Sequence, residues 1–239
     1  MQNRQYNVQQ NSKGMIARGS ATAPISASAT KVLRNTYTLL AMTLIFSAVM
    51  AAVSMSIGLS RGASLVCSLG ALALVWLVLP RTANSSAGIG VVFAFTGLLG
   101  LSLGPILMHY LQFANGGQII MQALGGTGLG FFALSGYVLT TKKDFSFMRG
   151  MLVAGLVVVL VAALGSIVAS MFGVEITAIS LAISAAIVFL MSGFILYDTS
   201  RIVNGGETNY IMATTGLYLN IYNLFVSLLH LIGAFSGND

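Results

Sequence analysis

Five carboxylates occur in 239 residues, and one of them, Asp198, stands directly behind the apolar run Phe194-Ile195-Leu196-Tyr197. A charge at the edge of hydrocarbon is costly and usually functional. Two roles fit this position. Asp198 could be an interfacial carboxylate in an intrahelical ion pair with Arg201, three residues on along the same helix. It could instead be a partly buried acid that serves as a protonation switch. The other four acids, Asp144, Glu175, Glu207 and Asp239, fall in links or at the terminus.

A second constellation lies downstream. Gly216, Asn220, Asn223, Ser227 and His230 fall within an arc of roughly 80° when wound at about 100° per residue. A polar edge facing lipid is unfavourable, so this face is expected to point inward. There it either bonds to neighbouring helices or lines a small wet cavity. On either reading the helix that carries it is central.

Other motifs carry less chemistry. Gly125-Gly126-Thr127-Gly128-Leu129-Gly130 resembles a phosphate loop, but it lacks the Lys-Ser/Thr ending and a preceding strand. It reads as helix packing by small residues, as do Gly97, Gly100 and Gly104. Ser135 and His230 resemble an intramembrane serine protease dyad, yet Ala133-Leu134-Ser135-Gly136 lacks the glycine two residues before the serine. The last apolar run has no lysine for a retinal Schiff base. The single cysteine, Cys67, can neither pair internally nor nucleate a metal site. His109 and His230 sit near the outer ends of their runs, most of a membrane thickness from Asp198 at the inner end. No catalytic group, metal site or cofactor is expected, and the chain reads as a non-enzyme.

The elements that must position these residues are seven apolar runs: 36–58, 63–79, 87–111, 118–139, 148–172, 176–197 and 210–235. At 56% hydrophobic and 7% charged, the chain is too apolar for a soluble surface. Runs of about 20 apolar residues match the ~30 Å hydrocarbon core of a bilayer. The fold class is therefore all-α, a polytopic helical bundle with seven transmembrane helices over 31–239, embedded in a lipid bilayer. The third run is expected to be interrupted at Gly104-Pro105.

Of the 11 Lys and Arg, ten lie on the N-terminal side of the membrane and only Arg61 lies opposite. This bias predicts a cytoplasmic N-terminus and, after seven crossings, an outside C-terminus; a re-entrant last run would instead return the C-terminus inside. The net charge of +6 is thus topological, and nucleic acid is not an expected partner. Residues 1–30 are rich in Gln, Asn, Ser, Ala and Thr and are expected to form a disordered cytoplasmic tail. The first run should act as an uncleaved signal-anchor.

Three segments carry a resemblance: Gly193-Phe-Ile-Leu-Tyr197-Asp198-Thr199, Gly205-Gly206-Glu207-Thr208-Asn209-Tyr210, and Leu217-Tyr218-Leu219-Asn220-Ile221-Tyr222-Asn223-Leu224-Phe225. They are similar to the signature of the Bax inhibitor-1 family. Lys31 to Tyr37, Gly104 to Leu107 and Tyr137 to Asp144 resemble its bacterial YccA-like branch. The resemblance implies a seven-helix bundle with the last helix wrapped by the other six, in a bacterial inner membrane.

Two functions come with that resemblance. One is a pH-sensitive calcium leak, gated by paired aspartates on the sixth and seventh helices and a basic residue on the second. Asp198 matches the first aspartate, Asn220 occupies the second position, and 63–79 has no Lys or Arg. Asn cannot change charge, and one carboxylate with two amides is a weak calcium site; a leak channel or small-ion transporter, the alternative reading, would use Asp198, Asn220 and Asn223 as its polar lining. The other function, favoured by this departure, is association with the membrane-bound ATP-dependent protease FtsH and restraint of its activity. Removing residues 2–30 should leave the bundle folded while changing its turnover or its hold on the protease. Pulse-chase half-life and co-purification measure this, and no change in either would defeat a role for the tail.

Overall fold

The computed structural model describes residues 25–236, so the tail expected at 1–30 lies mostly outside the described residues. Among the described residues, seven long helices build the bundle. They are α1 (Ala27–Ser56), α2 (Arg61–Thr82), α3 (Ala87–Tyr110), α4 (Gly116–Thr141), α5 (Arg149–Met171), α6 (Thr177–Val203) and α7 (Tyr210–Ser236). Each is long and apolar enough to cross a membrane. The fold is all-helical, as its hydropathy dictates.

α1 begins at Ala27, well before the first apolar run, and takes in Lys31 and Arg34. Residues 27–30 therefore belong to the bundle rather than to a tail. The cause is local: Ser26 caps the helix, its hydroxyl accepting from the Ala29 N–H at 3.2 Å. Long basic side chains can then reach back to the interface from a helix that continues beneath them. A truncation that spares this cap ends at residue 24.

Pro105 does not interrupt α3. Proline leaves the carbonyl four residues earlier without its helical donor. That carbonyl belongs to Leu101, and the Ser54 hydroxyl on α1 donates to it at 2.7 Å. In α2, by contrast, the turn Leu74–Val78 widens to a π-helical spacing just ahead of Pro80.

Glycines explain why α1 and α3 lie so close. A Cβ at Gly100 would overlap the backbone carbonyl of Ser47, one at Gly104 would overlap the Ser54 hydroxyl, and one at Gly97 would come within 2.8 Å of the Phe46 ring. The second glycine cluster differs. Gly125 and Gly128 have open space where a Cβ would be, and Gly126 and Gly130 make only ordinary contacts at 3.5 and 3.9 Å. The expectation that both clusters mediate close packing holds for α3 and is corrected for α4, where Gly126 and Gly130 meet Leu228 and Leu224 of the last helix only at ordinary van der Waals distance.

α7 packs against α6, α4, α1 and α3. It is central, but four helices surround it rather than six: α2 packs on α3, and α5 packs on α6. Phe95, Leu217, Tyr218 and Ile195 form the buried centre of the core. Gly100→Ala should destabilise the bundle by about 1–3 kcal/mol, because the added carbon meets rigid backbone. Gly125→Ala should leave stability unchanged or slightly higher. Thermal unfolding of the two variants in detergent makes the comparison, and equal melting temperatures would contradict the assignment of the tight interface to α3.

Candidate functional site

Asp198 lies on the last turns of α6, half-buried, and its side chain turns toward α7. There the Asn220 amide donates to its Oδ2 at 2.8 Å. One turn earlier on α7, Gly216 leaves the room this contact needs, since a Cβ there would sit 3.0 Å from the same oxygen. Sequence spacing placed Gly216 and Asn220 on one face, and the structure presents that face to Asp198.

The ion pair with Arg201 does not form. Arg201 instead reaches Glu207 at 3.1 Å and the Gly206 carbonyl at 3.2 Å, with its guanidinium 5.7 Å from the centre of the Tyr197 ring. Asp198 faces the neighbouring helix, whereas the Arg201 and Glu207 side chains, 34% and 18% exposed, meet at the loop that follows α6. A hydrated loop carboxylate costs less to pair with than one turned into the bundle.

A cleft of about 280 Å³ opens beside Asp198, lined by Val75 and Leu79 of α2, Arg201, Glu207, and Thr215 and Leu219 of α7. The widened turn of α2 thus faces the carboxylate across a gap. Arg81, near the end of α2, bonds back to the Leu77 carbonyl. Among the described residues, no group of three His, Cys, Asp or Glu comes together.

The rest of the predicted polar edge divides. Ser227 is buried, and His230 Nδ1 lies 2.8 Å from the Ser184 hydroxyl of α6. Asn223 is corrected: it is exposed and folds back on its own helix, its amide donating to the Leu219 carbonyl at 2.8 Å. Because α2 does not pack on α7, no neighbour covers Asn223 and the side chain satisfies itself. Ser135 pairs with Thr199 at 3.2 Å and His230 with Ser184, so the resemblance to a protease dyad has no geometric counterpart.

Sequence reasoning missed the opposite face of α7. Tyr218 OH lies 2.6 Å from the Ser47 hydroxyl and also reaches the Thr96 carbonyl, while Tyr222 OH lies 2.9 Å from Ser102. Thr214 donates to the Thr36 carbonyl at 3.3 Å. The i, i+4 repeat of hydroxyls at Thr214, Tyr218 and Tyr222 was the available signal, since such groups in a membrane need protein partners. At the ends, Asn209 holds Ala83 and Asn84, and Asn115 holds the Ser236 carbonyl.

Beyond the helix ends, the link between α4 and α5 is pinned to α6. The Phe145 N–H donates to the Ser200 hydroxyl at 2.9 Å, and Ser200 donates in turn to Asp144 at 3.4 Å. The Ser146 hydroxyl and N–H hold the Asp144 carboxyl below the usual carboxylate range.

Replacing Asn220 by Asp would set two carboxylates at hydrogen-bond distance, where they share one proton. Removing that proton leaves two like charges in contact. The melting temperature of N220D should therefore fall by several degrees relative to the wild type as pH rises from 5 to 8. A parallel pH profile for the two proteins would contradict this reading of the contact.

A family model described as inhibitor of apoptosis-promoting Bax1 matches residues 29–237. The chain is 52% identical over 209 residues to an uncharacterized membrane protein of Vibrio cholerae, covering 87% of this chain and 92% of that protein. It is 51% identical, with the same coverage, to the modulator of FtsH protease YccA of Escherichia coli K12. An uncharacterized protein of Pseudomonas aeruginosa is 48% identical over 87% of this chain and 91% of its own length.

Proposed function

The chain belongs to the Bax inhibitor-1 family, and from that premise we propose that it binds and modulates the membrane-bound ATP-dependent protease FtsH. The observation that carries this reading is the 51% identity to the E. coli modulator over 92% of that protein's length. Likeness at that level, spread along the whole bundle, supports retention of a surface as well as a fold.

The local chemistry supports the same choice. A proton-coupled gate needs two groups whose charges depend on one another. Here Asp198 faces the Asn220 amide at 2.8 Å, and an amide carries no proton to exchange in this range. The pH-sensitive calcium leak has little to work with in this chain. We also read the protein as a non-enzyme: Ser135 and His230 bond to Thr199 and Ser184, not to each other.

In this reading the protein sits in the bacterial inner membrane with its N-terminus in the cytoplasm. The ten-to-one distribution of Lys and Arg supports that orientation. The Asp198 end of the bundle, with the α4–α5 and α6–α7 links, then faces the cytoplasm. The C-terminus lies outside.

The wild type and Asp198→Asn, purified in mild detergent, should retain FtsH to the same extent. Neither should change the rate of calcium entry into vesicles between pH 6 and 8. Absence of FtsH from both preparations would overturn the protease reading, and a pH-dependent flux abolished in the variant would replace it with the leak.

A further inference from the structure

At the end of the bundle opposite Asp198, a cleft of about 550 Å³ opens between α2, α3 and α7. Arg61, Ser64 and Ser68 of α2, His109 and Tyr110 of α3, and His230 of α7 line it. Both histidines of the chain and the one basic residue separated from the other ten therefore meet in a single cleft. They come from three helices, at positions 61, 109 and 230, so no local pattern places them together.

We propose that this cleft binds a phosphate group, that of a phospholipid headgroup or of a soluble phosphate. Arg61 supplies a planar fork of donors suited to phosphate oxygens. His230 commits Nδ1 to Ser184, which orients the ring and leaves Nε2 without a protein partner among the described residues. His109 stands exposed at the rim, edge-on to Tyr110 and Phe113 at 5.6 and 5.5 Å.

The charge pattern selects an anion. Among the described residues, no carboxylate lines the cleft. Asp144, Asp198 and Glu207 belong to the far end of the bundle, and Glu175 in the α5–α6 link is the carboxylate of this end among the described residues. Ser64 and Ser68 spend their hydroxyl protons on the Ser102 and Ser64 carbonyls, at 2.7 and 3.1 Å, so the donors left for an anion are those of Arg61, His109 and His230. Two imidazoles beside a guanidinium, with no thiolate or carboxylate, make a poor metal site. The cleft also lies where helices end, at the depth of lipid headgroups.

The full-length protein and the R61Q/H109Q double variant provide the test, because both side chains are exposed. One arm equilibrates each protein in detergent with equal phosphatidylglycerol and phosphatidylcholine and counts retained lipids by native mass spectrometry. The other follows thermal unfolding with inorganic phosphate against chloride at matched ionic strength. The wild type should prefer phosphatidylglycerol or be stabilised by phosphate, and the double variant should show about tenfold weaker binding in that arm. A difference confined to the lipid arm assigns the site to a headgroup, and one in the phosphate arm assigns it to a soluble anion. If wild type and variant respond alike in both arms, the proposal is overturned.

Discussion

Hydrocarbon offers no hydrogen-bond partner, so every polar group that α7 carries into the membrane must find one within the protein. The bundle is arranged around that demand. Tyr218 is met by Ser47 and the Thr96 carbonyl, Tyr222 by Ser102, His230 by Ser184, and Asn220 by Asp198. These partners lie on three different helices, which places α7 among them. The same rule governs the proline in α3, whose orphaned Leu101 carbonyl is served by Ser54 on α1. The small residues Gly97, Gly100 and Gly104 let α1 come near enough to serve it.

The packing is uneven, and the unevenness shapes the surfaces. α1, α3, α4, α6 and α7 share the buried interior, while α2 and α5 each lie against a single long neighbour. Where α2 stands away from α7, two clefts open, one beside Asp198 and one around Arg61, His109 and His230. Both hold polar side chains at the depth where helices end. Asn223, between them along α7, is exposed and bonds to its own helix.

Asp198 owes its character to the group that faces it. An amide at 2.8 Å satisfies one carboxylate oxygen by donation and adds no second charge. Arg201, which sequence spacing assigned to it, is drawn away by Glu207 in a more hydrated loop. The carboxylate therefore couples to α7 through a hydrogen bond from an uncharged donor. A site of this kind can fix two helices against each other, and that role suits a protein whose proposed task is to present a defined membrane surface to a protease.

The sequence by itself determined the class, the seven helices and the centrality of the last one, because hydropathy and the cost of burying polar atoms are properties of each segment alone. It also put Gly216 and Asn220 on the face that meets Asp198, since helical periodicity is local. It did not reveal that Arg201 chooses Glu207, that Asn223 is left uncovered, or that the α4 glycines make no tight contact. Nor could it bring Arg61, His109 and His230 to one cleft. Those outcomes depend on which helix lies beside which. Seven runs of similar length and apolarity allow many neighbour arrangements, and only the packed bundle selects among them.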